Sequence, residues 1–325
     1  MLIKGGNASG MKYGDTLSDD AFTGYEFDYI ISNPPFGIDW KREKTQVEAE
    51  AKKGFDGRFG PGLPAISDGQ MLFMLNGVKK LKEGSGRMAI IQNGSSLFTG
   101  DAGSGASEIR RYVIEGDLVE AIIQLPTDLF YNTGISTYIW VLTKGKAMHR
   151  SSKVQLIDAS KCFVKRRKNI GSKRVDLDDA CIDLILRAYE DFGNETYEDN
   201  GLVVESKVFD NRFFGFTKVT VETAQADAKG KPVLKKGKKQ PVKGASDTEI
   251  IPMGQDMNEY MEMNVLPYNP LAYIDRSKNK VGYEVPFTRL FYKFEAPASS
   301  DSIFEEIKAL EAEETILMKE LFGHA

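Results

Sequence analysis

An α/β fold built on a largely parallel sheet is what this sequence predicts, and two observations carry the prediction. From Met1 to about Lys146, short apolar runs alternate with longer segments of helical period, the pattern of strands joined by crossover helices. The chain is 325 residues long, about two domains on a prior of roughly 150 residues each, so a sizeable core can form without disulfide or metal staples.

Each element has its own signal. The strand candidates are Met11 to Gly14, Phe27 to Ser32, Arg87 to Gln92, Leu118 to Leu125 and Ser136 to Thr143. Between the second and third, Met71, Leu72, Met74, Leu75, Val78 and Leu81 recur at helical spacing; Ser67 or Asp68 can cap this helix and Gly84 can close it. A second helix is expected over Glu108 to Glu115, capped by Ser107. From Ser151 to about Pro297 the periodicity weakens, leaving a strand-like Val154 to Ile157, a helix from Leu177 to about Phe192 and mixed segments over Val203 to Phe216. The C-terminal segment opens with Ser302 and Glu305 at capping-box spacing. It then sets Ile303, Ile307, Leu310, Leu317 and Leu321 on a 4-3 repeat interrupted by Glu314, with Phe304, Met318 and Phe322 widening the seam. That is an amphipathic helix, suited equally to docking on its own chain and to a coiled-coil contact with another subunit.

Composition narrows the function classes. Lys and Arg number 43 against 47 Asp and Glu, so a polyanion must be met by local patches, not by a global field. Ala224 to Gly244 hold seven lysines, several glycines and almost no apolar side chains, which predicts a mobile loop; a solvated insertion is preferred there over an arm that touches DNA. Cys162 and Cys181 are the only cysteines, which fits ordinary thiols in a reducing cytoplasm. With only His149 and His324, neither a His/Cys zinc site nor a Ser/His/Asp triad is expected, so no metal is assigned. No run approaches the roughly 20 apolar residues that span a bilayer, and the first residues lack a secretory pattern, so a cytoplasmic protein without a membrane partner is expected.

One motif carries chemistry. Asn33-Pro34-Pro35-Phe36 follows the apolar run Phe27 to Ser32, at the carboxyl end of a parallel strand, where open α/β sheets bind ligands. Asn-Pro also starts ordinary turns, but on average residue usage this tetrapeptide arises by chance in roughly one chain in a thousand of this length. The residue types suit activation of a planar amine, whose lone pair is delocalised into its ring and attacks poorly. An Asn oxygen and a backbone carbonyl held rigid by two prolines can each accept one N–H, favouring a pyramidal nitrogen whose lone pair is free. The neighbouring aromatic, Phe36, can stack on the ring.

Other stretches are weaker. Gly100-Asp101-Ala102-Gly103-Ser104-Gly105 precedes a helix and can cradle a phosphate, but it follows a late strand without the acidic residue that a nucleotide site requires, so a structural turn or a loop near DNA is preferred. Phe130 or Tyr131 can stack on the other face of a base, although core aromatics are commoner. Gly54 to Pro64, with Phe55, Arg58 and Phe59 among glycines and prolines, is expected to be a long flexible loop, either closing over substrate or simply at the surface.

The tetrapeptide does not stand alone. Ser67-Asp68-Gly69-Gln70, Gly86-Arg87-Met88-Ala89-Ile90-Ile91 with Asn93-Gly94-Ser95, Ser107-Glu108-Ile109-Arg110, and Leu125-Pro126 leading through Leu129-Phe130-Tyr131-Asn132-Thr133-Gly134-Ile135 to Trp140 complete a pattern over most of the chain. With these residues the chain resembles the modification subunit of type I restriction-modification systems, S-adenosylmethionine-dependent DNA adenine-N6 methyltransferases. The resemblance implies a seven-stranded Rossmann-like methyltransferase sheet, with a C-terminal extension and a terminal helix that help to hold a DNA-specificity subunit. Its further partners would be DNA and a restriction subunit. Asn33, Pro34, Pro35 and Phe36 would be catalytic, acting on an adenine flipped from the duplex. Gly14-Asp15-Thr16-Leu17 resembles a cofactor element whose Asp accepts from the adenine amine of S-adenosylmethionine, so Asp15, Thr16, Leu17 and Asn33 would bind cofactor.

Family members carry an Asp-Pro-x-x-Gly-x-Gly loop upstream of this element, and no such loop precedes Gly14 here. The resemblance therefore implies an amino-terminally truncated sheet, with Met1 inside the helix before Gly14 and a half-built cofactor site. Residues 1–165 would be the partial catalytic domain, 166–297 the extension with the Lys-rich loop at 224–244, and 298–325 the terminal helix. Two alternatives are an inactive scaffold fragment of a DNA complex, and a methyltransferase for protein glutamine amides, whose turn usually ends in Tyr.

Overall fold

The computed structural model describes residues 9–294 and 297–323, so the expected helix at Met1 lies outside the described residues. Two compact units divide after Phe287. The first begins with β1 (Tyr29–Ser32), α1 (Lys44–Ala51), α2 (Gln70–Lys79), β2 (Arg87–Asn93), α3 (Ser95–Phe98), α4 (Gly105–Glu115), β3 (Val119–Gln124) and β4 (Thr137–Thr143). It continues with β5 (Lys153–Asp158), β6 (Val164–Ile170), β7 (Lys173–Asp176), α5 (Asp179–Asp191), β8 (Glu195–Asp199) and β9 (Leu202–Asp210).

Seven of these strands form one sheet in the order β1-β2-β4-β3-β5-β9-β8. β1 runs parallel to β2 and β3 parallel to β5, while β4 lies antiparallel between β2 and β3. Hence β1, β2, β3 and β5 all bring their carboxyl ends to one edge. This is a mixed, Rossmann-like α/β sheet, and it runs on through residue 210. Its central strands read as they do because both faces are covered: Val119 to Ile123 of β3 are buried without alternation. On one side Met71, Leu72 and Leu75 of α2 and Ile109 of α4 meet Leu17, Trp40, Val47 and Phe59. Another cluster joins Ile123 and Ile157 to Cys181, Leu184 and Ala188 of α5.

Beyond it lie β10 (Gly215–Ala224), the short β11 (Leu234–Lys235) and β12 (Lys238–Lys239), β13 (Pro241–Pro252), α6 (Met257–Asn264), β14 (Ala272–Ile274) and β15 (Lys280–Tyr283). β10 pairs antiparallel with β13, β14 and β15 around a small core of Val219, Val221, Ile251, Met261 and Ala272. α7 (Phe287–Phe291) follows. The second unit contains α8 (Ser300–Phe322), whose seam residues Ile303, Phe304, Ile307, Leu310, Leu317, Met318, Leu321 and Phe322 are all exposed.

Several expectations are corrected. Met11 to Gly14 form no strand; this segment is irregular and exposed. α2 starts at Gln70 after an uncapped Gly69, and it stops at Lys79 because Leu81 leaves the helix to bridge Phe27. α4 starts at Gly105, ahead of Ser107, which is buried and whose hydroxyl accepts the Tyr283 N–H at 3.0 Å. Residues 224–244 are not an unstructured loop, since β10 and β13 extend their ladder as far as Ala224 opposite Pro241 and β11 pairs with β12 beyond it. Gly54 to Pro64 is packed: Phe59 is fully buried and Gly105 lies so close to Leu63 that an added Cβ would stand 1.7 Å from the Leu63 carbonyl oxygen. At α8 the cap is Ser299, whose hydroxyl accepts the Ser302 N–H at 3.1 Å.

Candidate active site

Asn33-Pro34-Pro35-Phe36 leaves the carboxyl end of β1. Pro34 is buried and Phe36 half-buried, while Asn33 and Pro35 are exposed. The two adjacent prolines fix the backbone at the start of a turn that ends at Gly37, whose φ of 64° suits glycine. The Asn33 side chain thus stands on a rigid support and makes no hydrogen bond to a described residue, leaving its oxygen free for an amine.

A second element lies across a cavity from β1. In the turn Gly14 to Leu17, the Asp15 carboxylate accepts the Leu17 N–H at 2.9 Å. Burial pushes the Asp15 carboxyl upward, but the N–H groups of Leu17 and Ser18 and the Ser18 side chain outweigh it and hold the group below its usual range. The turn is anchored by Arg58, which donates to the Thr16 carbonyl at 2.7 Å and the Leu17 carbonyl at 3.1 Å. The same guanidinium grips Glu50 with two bonds, at 2.8 and 2.6 Å, and reaches Asn76 at 3.0 Å. In this turn Gly14, Asp15 and Thr16 are exposed and Leu17 is buried in the core.

Between the turn and β1 lies a cavity of about 510 Å³, within the range of small-molecule sites. Gly14 and Thr16 line one wall, Tyr29 to Ser32 and Pro34 another, and Phe22, Phe27, Phe73 and Met88 make much of it apolar. Lys80 and Asp20 form an ion pair of 2.5 Å at its rim. Burial raises the Asp20 pKa, but the hydrogen bond from Lys80 overcomes it and keeps the carboxyl below its usual range.

The carboxyl end of β2 is held by a polar network. Gln70, 1% exposed, has its side-chain nitrogen within 2.8 Å of the Asp68 carboxylate, 2.7 Å of the Asn93 oxygen and 2.5 Å of the Ser95 hydroxyl. Its oxygen accepts the Asn93 N–H at 3.0 Å, and the Ser95 hydroxyl donates to Asp68 at 2.6 Å. After β3, Phe130 packs against the cluster under α5, whereas Tyr131 is exposed with the Lys173 ammonium 5.4 Å from its ring centre. The Gly100 to Gly105 loop is tied down by a 2.8 Å ion pair between Asp101 and Lys218.

The cavity therefore joins the Gly14 element to the strand that carries Asn33. Arg58 and the Gln70 network escaped the reading from sequence. Arg58 stands among glycines and prolines without a visible partner, while Asp68, Gln70, Asn93 and Ser95 were recognised only as separate stretches.

The chain matches the N-6 DNA Methylase family over residues 1–226. It belongs to that family. It is 28% identical over 264 residues to the type I restriction enzyme MjaIX methylase subunit of Methanocaldococcus jannaschii, across 81% of this chain and 43% of that relative. To the type I restriction enzyme HindI methylase subunit of Haemophilus influenzae it is 26% identical over 242 residues, across 73% of this chain and 51% of the relative. The chain thus spans about half the length of these two methylase subunits. A solved structure of the type I restriction-modification system methyltransferase subunit from Streptococcus thermophilus aligns with a TM-score of 0.49 at 29% identity, covering 61% of this chain and 37% of that one. Among the described residues no helix is long and apolar enough to cross a membrane.

Proposed function

We propose that this chain supplies the amine-activating part of a DNA adenine-N6 methyltransferase in a type I restriction-modification system, with S-adenosylmethionine as the methyl donor. The observation that carries the proposal is the cavity, which has Gly14 and Thr16 on one wall and the strand leading to Asn33 on another. Its apolar lining suits a purine, and Asp15, in the turn between the lining residues Gly14 and Thr16, has its carboxyl held below the usual range, which suits an amine donor. The bound cofactor supplies an electrophilic methyl group; the chain's own residues prepare the acceptor.

In this reading the Asn33 oxygen and the Pro34 carbonyl each accept one N–H of a flipped adenine, so the amine nitrogen turns pyramidal and its lone pair faces the methyl group. Phe36 and Tyr131 replace stacking lost from the duplex. Phe130, committed to the core, is the weaker candidate for that role. Tyr29 and Ile31 on one face of β1 are 77% and 91% exposed, which is unusual in an α/β sheet. That exposure supports a cofactor site completed by further protein against β1. The exposed seam of α8 supports a subunit contact with the specificity subunit, in an assembly that also holds DNA and the restriction subunit. Family membership favours DNA adenine over a protein glutamine amide as the acceptor.

The test is Asn33→Ala in the assembled enzyme, read by transfer of labelled methyl groups to duplex DNA. Methyl transfer is expected to fall by at least about a hundredfold, the scale for one lost hydrogen-bond acceptor or donor at a reacting centre, with DNA affinity unchanged. Wild-type turnover in this variant rejects the assignment. Titration of the wild-type chain with S-adenosylmethionine separates the scaffold alternative, which requires no binding.

A further inference from the structure

β5 ends at the same edge of the sheet as β1, and the chain then makes the hairpin β6–β7. Residues 161–176 hold seven cations, Lys161, Lys165, Arg166, Arg167, Lys168, Lys173 and Arg174, against the single Asp176, in a chain whose overall charge is -4. Asp176 is occupied by Arg166 and by Lys173 at 2.8 Å. Lys161, Lys165, Arg167, Lys168 and Arg174 are exposed and form no ion pair among the described residues.

The hairpin is fixed in place. Its turn runs through Gly171 at φ 58°, as a two-residue turn with glycine first requires. An added Cβ at Gly171 would stand 2.6 Å from the Tyr131 carbonyl oxygen. The Ser172 N–H donates to that carbonyl at 2.9 Å and the Arg174 N–H to the Asp128 carbonyl at 2.8 Å. The basic hairpin is therefore strapped to the segment that follows β3, at the edge where Asn33 also lies.

We infer that the β6–β7 hairpin is a phosphate clamp for duplex DNA. The inference rests on the adenine-methylation reading and names the surface that would hold the duplex beside the flipped base. Four strand spacings of about 4.8 Å separate β1 from β5, roughly 19 Å along the edge. At 3.4 Å per step that corresponds to about five or six base pairs. Phosphates flanking the target base then fall opposite Lys165, Arg167, Lys168 and Arg174. A cluster of exposed cations suits a phosphate backbone, and phosphate contacts read no sequence.

The test uses the full chain and a fluorescent duplex, with anisotropy measured across a series of salt concentrations. Substituting Lys165, Arg167, Lys168 and Arg174 together by Ser is expected to lower affinity about tenfold or more and to reduce the salt slope by about 3 to 4, near 0.9 per lost phosphate contact. Exchanging Arg167→Lys and Arg174→Lys keeps the slope. Substituting Lys235, Lys236, Lys238 and Lys239 by Ser removes the same charge from β11–β12 and is expected to change the slope less. An equal change in both quadruple variants overturns the clamp, because net charge alone then explains it; so does no duplex binding by the wild-type chain. An unchanged slope with methyl transfer intact rejects the clamp and leaves the methylation reading standing. Wild-type turnover in Asn33→Ala instead rejects the methylation reading on which the clamp rests, so the two failures are told apart.

Discussion

Replacing Arg58 by Met removes one guanidinium and keeps most of its apolar stem, so the loss is mainly that of five bonds. Two of them hold Glu50, and the others hold the Thr16 and Leu17 carbonyls and Asn76. Breaking a buried ion pair by removing one partner costs about 3 to 5 kcal/mol, because the other charge is left desolvated. Here the side chains are 9% and 21% exposed, and the water that reaches Glu50 puts the expected cost near the lower end, about 3 kcal/mol. Urea denaturation followed by tryptophan fluorescence measures it, since Trp40 sits 2% exposed in the cluster that contains Leu17 and Phe59. Burial pushes the Glu50 carboxyl upward, but its hydrogen bonds from Arg58 outweigh this and hold it below the usual value of 4.5. A depressed carboxylate pKa contributes stability above the unfolded value and loses it as the pH falls through the folded one. In Arg58→Met the same carboxyl is desolvated without a partner, and protonation relieves it. The stability gap between wild type and variant must therefore narrow as the pH falls, beginning above 4.5 where the unpartnered Glu50 of the variant takes up its proton and continuing below it as the wild-type pair is lost. Adding Glu50→Gln to Arg58→Met should recover part of the loss at neutral pH. A cost under about 1 kcal/mol, or a gap that does not change with pH, refutes the view that Arg58 anchors the Gly14 to Leu17 turn through a desolvated pair.

Gln70→Leu keeps the volume but leaves Asp68 and Asn93 without their shared donor, which should cost about 1 to 3 kcal/mol by thermal unfolding; unaltered stability means that water reaches the network. Gly105→Ala sets a methyl group against the Leu63 carbonyl and is expected to cost about 1 to 3 kcal/mol as the loop shifts. Gly10→Ala, with nothing within 4 Å of its added Cβ, is the control and should stay within about 0.5 kcal/mol of wild type.

Most of the first sheet was legible because its strands are apolar runs bounded by turns. β1 to β4 lie within two or three residues of the segments that predicted them, and the helix over Met71 to Val78 follows its period. Met11 to Gly14 misled because two large side chains in four residues resemble a strand; Met11 and Tyr13 are exposed, and no strand among the described residues pairs with them. The Lys-rich segment misled in the other direction. Its order comes from the β-branched Val219, Thr220 and Val221 facing Glu249, Thr248 and Asp247, a ladder that carries a polar tip whose own composition would not fold. At the site, the tetrapeptide and its strand were readable together because both are local. Arg58 was not, since its partners Thr16, Leu17, Glu50 and Asn76 lie 8 to 42 residues away in sequence.

The parallel arrangement of four strands explains why the candidate chemistry gathers where it does. β1, β2, β3 and β5 run the same way, so the segment after each emerges at one edge: the Asn33 turn, the Gln70-braced Asn93 to Ser95 turn, the Tyr131 segment and the basic hairpin. Strand ends are rigid because the ladder behind them is paired, which suits the role proposed for Asn33, where an acceptor has to meet one nitrogen within a few tenths of an ångström. Phosphate contacts tolerate looser geometry, because charge attraction falls off slowly with distance. The hairpin, attached through its turn to Tyr131, can therefore hold a duplex while the strand ends hold the base. If the two tasks are separable in this way, charge removal on β6–β7 should raise KM for DNA and leave kcat unchanged at saturating DNA, whereas Asn33→Ala should lower kcat alone.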